Sequence, residues 1–230
     1  MRKQFECVPY GDTAVLVNFT NKIDPKVNSA VHSFSSVISN EKIKGIVETI
    51  PAYSSLTIIY DPKLIDFSTI VEKLNKLHTQ RGKQTSHFSS IKIPILYGGE
   101  YGPDLHFVAK YHHISIEEVI KIHASAEYLV YMIGFTPGFA YLGGMSEKIA
   151  TPRLESPRKS VPAGSVGIGD KQTGIYSIES PGGWRIIGRT PLELFNTKKD
   201  PPTLLKPGDK VKFVSISKKE YEQQLKKWQN

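Results

Sequence analysis

The first third of the chain alternates apolar and polar residues in short runs and twice changes to helical spacing. The runs Phe5 to Tyr10 and Thr13 to Phe19 flank a Gly-Asp turn and predict two strands. Asp24 followed by proline is typical of a helix start, and apolar residues recur at helical spacing after it. A hairpin follows at Ile46 to Tyr53 and Leu56 to Tyr60. A second helix is predicted at Phe67 to Leu77 and a strand at Ile91 to Leu96. We interpret the order as βαββαβ, which predicts a ferredoxin-like α+β domain with both helices on one face of an antiparallel sheet.

The remaining chain has short apolar runs that glycines and prolines interrupt. Two short helices are predicted first, one beginning near Pro103-Asp104 and one at Ser115, where Glu118 completes a capping box. The later predicted elements are six short strands and a terminal helix, at Tyr128 to Ile133, Ser165 to Ile168, Gly174 to Ile178, Arg185 to Gly188, Leu192 to Phe195, Val211 to Ile216, and Lys218 to Trp228. Such a pattern favours a barrel or a sandwich. The polar stretch between the two patterns predicts domains at residues 1–88 and 89–230.

Composition and charge narrow the class of protein. The 230 residues fit one large domain or two small ones, and the net charge is +8. The lysines are scattered and form no basic stripe, so we expect no nucleic-acid binding. Cys7 is the only cysteine, which excludes an intrachain disulfide. The chain has no signal-peptide pattern and no run of about 20 apolar residues, so we expect a cytoplasmic protein that does not bind a membrane.

Familiar catalytic signatures are absent or incomplete. The segment GSVGIG, residues 164–169, has the glycine spacing of a phosphate loop, but Asp170 stands where that loop needs a lysine. A carboxylate at this position would repel phosphate. The histidines form neither HExxH nor a cysteine-histidine cluster, so the sequence predicts no metal site.

Three segments of unusual composition remain, at residues 134–145, 151–165 and 172–191. The first, GFTPGFAYLGGM, combines glycines that let a backbone approach a ligand with aromatic rings that can wall a pocket, or it is a buried crossover. The second offers Arg153 and Arg158, which bind an anion or are solvated or paired with Glu155. The third holds Trp184, which lines a pocket or packs in the core.

These residues also carry a resemblance to a known family. YGGEYGPDL, YMIGFTPGFAYLGGM, TPRLESPR, VPAGSVGIGDKQTGIY and SPGGWRIIGRTPLELF resemble the KipI family, which is the family of 5-oxoprolinase B subunits. The same family is called allophanate hydrolase subunit 1 or carboxyltransferase subdomain C/D. The resemblance covers nearly the full chain and is most specific from Tyr97 to Phe195. It implies a small α/β domain followed by a cyclophilin-like β-barrel domain.

The resemblance implies an activity and partners. With a homologous C subunit and a third, A-type subunit, such chains form a 5-oxoprolinase that hydrolyses 5-oxo-L-proline to L-glutamate while converting ATP to ADP and phosphate. We therefore expect a chain that is inactive alone, with ATP and a magnesium ion bound at a subunit interface or in a partner subunit. Two alternatives are an inhibitor that binds a sporulation histidine kinase and a subunit that hydrolyses allophanate, as in urea amidolyase.

Residue types and the resemblance together suggest roles for individual side chains. Arg153, Arg158 and Arg189 are the candidates for anionic groups. Ser165, Gln172 and Thr173 are candidates to bind the lactam or position water, and His123 is a candidate acid or base. The cavity would be lined by Phe135, Phe139, Tyr141 and Trp184. Arg158→Ala is expected to abolish turnover of the assembled complex and leave the isolated subunit folded.

Overall fold

The computed structural model of the chain describes residues 5–22, 24–79 and 90–229. The chain divides into two compact units, Met1–His87 and Phe88–Asn230. The domain boundary predicted after residue 88 lies outside the described residues. Within those residues, no helix has the length and apolar character needed to cross a bilayer.

The first unit is a four-stranded antiparallel sheet with two helices. Its elements are β1 (Glu6–Pro9), β2 (Ala14–Asn18), α1 (Pro25–Glu41), β3 (Ile46–Pro51), β4 (Ser55–Tyr60) and α2 (Phe67–Thr79), and the sheet order is β1-β2-β4-β3. The Asp24 carboxylate caps α1 by accepting from the Lys26 amide at 2.7 Å, as the Asp-Pro signal predicts. Phe34 of α1 and Leu74 of α2 share one buried cluster with strand residues such as Val17. Both helices therefore cover the same face of the sheet.

The second unit is built around a closed barrel of seven strands. Its elements are β5 (Ser90–Tyr97), α3 (Leu105–Tyr111), α4 (Ile116–Ser125), β6 (Glu127–Ile133), β7 (Ala140–Gly143), β8 (Arg158–Val161), β9 (Ser165–Gly169), β10 (Gln172–Ile175), β11 (Ser180–Gly182), β12 (Arg185–Arg189), β13 (Lys210–Ser215) and α5 (Lys218–Gln229). The barrel order is β10-β7-β6-β13-β5-β12-β9, and β9 pairs with β10 to close it. The α+β class and the barrel are thus confirmed, and β8 and β11 form a separate two-stranded ribbon.

Two predicted strands differ from the structure. The run Ile91 to Leu96 is predicted to belong to the small sheet, but as β5 it pairs with β12 and β13 in the barrel, so the βαββαβ order is wrong in its last strand. Ile93 and Ile95 are fully buried in the barrel core, and alternation specifies such a strand without specifying its partner. The run Leu192 to Phe195 forms no strand: residues 190–209 are turns and irregular segments, in which Phe195 makes an isolated bridge with Thr203.

Candidate functional site

A pocket of about 190 Å³ opens on one side of the barrel. It is lined by aromatic rings from the strands and by residues of two loops: Phe135, Phe139, Tyr141, Arg153, Leu154, Pro157, Tyr176, Gly182, Gly183 and Trp184. The structure therefore brings together five residues that the sequence singled out, one arginine and four aromatic rings. Within this aromatic group, Phe139 meets Trp184 edge to face, with ring centroids 5.6 Å apart.

Trp184 packs directly against glycines of β9 and β10. A Cβ atom at Gly169 would stand 2.6 Å from the indole ring, and one at Gly174 would stand 2.9 Å from it. A Cβ atom at Gly167 would stand 3.0 Å from the Trp184 Cβ. Two glycines of the segment that imitates a phosphate loop, Gly167 and Gly169, lie within β9 and make room for Trp184.

The turn before β7 holds Phe135 over the rim of the pocket. Phe135 has a left-handed backbone (φ 72°), a conformation that costs a bulky residue about 1–2 kcal/mol. The turn is fixed because the Gly134 amide donates to the Phe139 carbonyl at 2.9 Å and Ser177 Oγ donates to the Pro137 carbonyl at 2.5 Å. The ring lies 5.6 Å from that of Phe139 and is 64% exposed. The apolar side chains of this glycine-rich segment thus form the wall and rim of the pocket.

Arg153 stands at the edge of the pocket. Its guanidinium carbon lies 5.7 Å from the centroid of the Trp184 ring, and its Nε donates to Asp170 Oδ2 at 3.0 Å. The Arg153–Asp170 pair is exposed, so the cation remains accessible to an anionic ligand. The alternative pairing of this arginine with Glu155 is not what the structure contains.

Arg158 lies behind the pocket wall. Its Nη2 donates to Asp104 Oδ1 at 2.9 Å, and its Nη1 donates to the Trp184 carbonyl at 3.4 Å. Asp104 is buried, and its Oδ2 accepts from the Ile186 amide at 2.6 Å. Arg158 therefore supports the backbone that carries Trp184. The role of Asp104 is not visible in the sequence, because an aspartate after Pro103 resembles an ordinary helix start.

Tyr176 is a further pocket residue that the sequence analysis did not single out. Burial raises the pKa of its hydroxyl, and a hydrogen bond with the Trp184 backbone opposes the rise. The hydroxyl oxygen occupies space that a Cβ at Gly182 would approach to 2.2 Å, which explains a glycine there. At neutral pH the phenol is protonated and is therefore a neutral donor in the pocket wall. Its signal in the sequence is an aromatic residue in the middle of the predicted strand Gly174 to Ile178.

Two predicted site residues lie inside the barrel instead. Tyr97 Oη and His123 Nδ1 are 2.8 Å apart, and His123 Nε2 is 3.0 Å from Thr173 Oγ1. Thr173 Oγ1 donates to the Gly167 carbonyl at 3.0 Å, so its oxygen accepts from Nε2–H and Nδ1 accepts from the tyrosine. Neither His123 nor Thr173 lines the pocket. The expectation that they share the cavity with Arg153 is wrong, because both are fully buried in the barrel.

We expect the buried histidine to make folding stability depend on pH. Burial lowers the pKa of His123 to about 3, whereas an unfolded histidine titrates near pH 6.5. The unfolded state therefore binds the extra proton first as the pH falls, and stability is lost between about pH 6.5 and pH 3. This group alone should lower the free energy of unfolding by about 1 kcal/mol between pH 6.5 and pH 5.5. Urea unfolding at a series of pH values should show a shallower dependence for His123→Gln, and an unchanged dependence would contradict the assignment.

The other three predicted residues also lie away from the pocket lining. The guanidinium carbon of Arg189 lies 5.6 Å from the centroid of the Tyr101 ring, and that ring in turn packs against Tyr221 of α5 with centroids 4.8 Å apart. Ser165 is fully buried on β9, and its hydroxyl has no hydrogen-bond partner among the described residues. Gln172 is half-buried at the start of β10, opposite Gly169.

The pocket does not fit a nucleotide. Pockets for drug-sized ligands measure about 300–1,000 Å³, and the volume here is about 190 Å³. One arginine at the rim offers a single cation, whereas a triphosphate needs several. Over the part of the chain that the structure describes, no three His, Cys, Asp or Glu residues cluster as metal ligands. The arrangement suits a small, partly apolar ligand that carries one negative charge.

Comparisons with known proteins agree with this architecture. The family model described as carboxyltransferase domain, subdomain C and D, matches residues 5–205. The chain is 45% identical to the 5-oxoprolinase B subunit of Bacillus subtilis, over 96% of this chain and 97% of that protein. It is 42% identical to the protein of the same name from Haemophilus influenzae, over 90% of this chain and 96% of that one. A crystal structure of the conserved uncharacterized protein PH0987 from Pyrococcus horikoshii is 51% identical and covers 94% of this chain and 100% of its own, with a TM-score of 0.56.

Proposed function

The chain belongs to the carboxyltransferase subdomain C and D family, within the group of 5-oxoprolinase B subunits (the KipI group), and from this we propose that it is the B subunit of an ATP-dependent 5-oxoprolinase. The complex would open 5-oxo-L-proline to L-glutamate. The observation that carries the proposal is the aromatic pocket with Arg153 at its edge, because its size and single cation suit a small lactam with one carboxylate.

Each part of the lactam has a counterpart in the pocket. The flat ring would lie against the aromatic wall that Trp184 and Phe139 form together. The carboxylate would pair with the guanidinium of Arg153, which favours planar anions. The protonated hydroxyl of Tyr176 would donate to the lactam oxygen, where negative charge develops as the amide is attacked.

ATP and its magnesium ion are assigned to other parts of the complex. The aromatic pocket is too small for a nucleotide, and Gly167 and Gly169 of β9 lie under Trp184. We therefore place ATP at a subunit interface or in a partner subunit. The residues of this chain would bind and orient the lactam and exclude water from its ring.

The exposed rim supports a role for partner subunits. Phe135 is held in a costly backbone conformation and is 64% exposed, which suits an aromatic ring that a partner covers. The proposed partners are the homologous C subunit and a third, A-type subunit. Binding of the partner would close the pocket from the solvent side.

We expect glutamate release from 5-oxo-L-proline and ATP only when this chain is present. The test is co-expression with the A and C subunits of the same organism, followed by a glutamate assay with and without this chain. Activity that is unchanged by its omission would reject the proposal. The two alternative functions, inhibition of a histidine kinase and hydrolysis of allophanate, stay predictions. The same preparation tests them by assays of kinase autophosphorylation and of ammonia release from allophanate.

A further inference from the structure

We propose that Asp170 is a positioning residue for carboxylate recognition, which holds Arg153 so that the free edge of its guanidinium faces the ligand. This inference rests on the proposed function in one respect, that the pocket receives a small carboxylate. Asp170 itself does not line the pocket and acts through Arg153.

The contact between the two side chains uses only one edge of the guanidinium. Arg153 Nε donates to Asp170 Oδ2 at 3.0 Å, and within the described residues its two Nη atoms make no hydrogen bond. A guanidinium presents two edges to planar anions, one with Nε and one with both Nη atoms. The edge with both Nη atoms is therefore available for a two-point contact with a ligand carboxylate.

The backbones that carry the two side chains are fixed to each other. Thr151 and Asp170 form an isolated β-bridge, with their two amide-to-carbonyl distances at 3.1 and 2.9 Å. On either side of Arg153, the Pro152 carbonyl accepts from Arg185 Nε at 3.1 Å and the Leu154 amide donates to Gly183 at 2.7 Å. Rotation of the Arg153 side chain is then the main freedom left, and the Asp170 carboxylate limits it.

The exposure of the pair indicates that it serves binding more than folding. The side chains of Arg153 and Asp170 are 53% and 61% exposed, and ion pairs of such exposure contribute little to stability. A free arginine loses much rotamer freedom when it binds a ligand, and an arginine that is already oriented loses less. Asp170 also has a left-handed backbone (φ 56°), which aspartate and asparagine tolerate. Asp170→Asn therefore removes the charge and keeps the turn.

The experiment measures the affinity of the full chain for two lactams by calorimetry. The probes are 5-oxo-L-proline and 2-pyrrolidinone, which share the ring and differ in the carboxylate. We expect Asp170→Asn to weaken the binding of 5-oxo-L-proline about fivefold and to leave the binding of 2-pyrrolidinone unchanged. In the assembled complex the same variant should raise KM by a similar factor at constant kcat.

Glu147→Gln is the matched control. It breaks the neighbouring Lys171–Glu147 pair, which has an N to O distance of 2.7 Å and exposures of 72% and 74%, and which lies outside the pocket lining. This variant should bind both lactams as the wild-type chain does. Equal weakening of both lactams by Asp170→Asn, unchanged binding of 5-oxo-L-proline, or tighter binding of it would each overturn the proposal.

A ligand-independent measurement separates this inference from the proposed function. If 5-oxo-L-proline does not bind the wild-type chain, the lactam assignment fails and the exchange rate of Arg153 Nε–H, measured by nitrogen-15 NMR, tests Asp170 alone. Faster exchange in Asp170→Asn and not in Glu147→Gln supports the positioning role. Equal rates in all three proteins contradict it.

Discussion

Arg158→Ala is expected to lower the free energy of unfolding of the barrel unit by about 3 kcal/mol. Asp104 is buried, and the substitution removes the cation 2.9 Å from its Oδ1 while leaving the carboxylate in place. A buried charge without its partner is far more costly than an absent pair. The Ile186 amide still donates to Oδ2 at 2.6 Å, and the Arg158 side chain is itself 32% exposed, so the loss falls at the lower end of the range for broken buried pairs. The expectation that this variant leaves the subunit folded and merely inactive is thereby revised.

Urea unfolding of the isolated chain measures this loss. Arg153→Ala is the matched control, because its pair with Asp170 is exposed and its removal should cost about 0–1 kcal/mol. Asp104→Asn combined with Arg158→Ala should recover part of the loss, since no buried charge remains. Similar unfolding midpoints for Arg158→Ala and Arg153→Ala would contradict the assignment of a buried supporting pair.

Gly169→Ala is expected to weaken binding of 5-oxo-L-proline by a factor of about 100, which corresponds to about 2.7 kcal/mol. The added Cβ would stand 2.6 Å from Cε2 and Nε1 of Trp184, inside the ring contact distance. The indole must then move into the pocket or be forced off its rotamer, and such overpacking costs about 1–3 kcal/mol of stability. The ligand loses the wall that the ring provides.

Calorimetry with 5-oxo-L-proline measures the effect, and near-ultraviolet circular dichroism reports the displaced indole. Gly134→Ala is the control, because a Cβ at that glycine would lie at an ordinary 3.5 Å from Met132. It should bind the lactam as the wild-type chain does. Wild-type affinity in Gly169→Ala would mean that the indole does not form the binding surface.

Local pattern predicted the elements well, but it did not predict which strands pair. Alternation in residues 91–96 identifies a strand, yet the choice between the small sheet and the barrel depends on β12 and β13, which lie far along the chain. The short strand β7 was hidden, because it lies within the glycine-rich segment and has only four residues. Many short strands suggest a barrel or a sandwich. The pairing of β9 with β10, which closes the barrel, is visible only in the structure.

The candidate site was predictable where residue type alone indicates exposure to a ligand. Arg153 and the aromatic rings fall in this class, and they line the pocket. The role of Asp104 was not predictable, because its partner Arg158 lies 54 positions later in the chain. Local sequence does not show which distant residues come into contact. His123 was misplaced for a related reason, since nothing in its local sequence reveals that Tyr97 and Thr173 enclose it.

The barrel pairs strands from opposite ends of the unit. β5 opens the unit, and it pairs in parallel with β13, which in turn pairs with β6. During synthesis on the ribosome, the edges of β5 and β6 that pair with β13 therefore stay uncovered until β13 has been made. Pairing of this kind folds slowly and leaves intermediates with open edges that can associate wrongly. A nascent chain shortened before Lys210 would contain every residue that lines the pocket. It would still lack β13, the strand that pairs with β5 in the barrel.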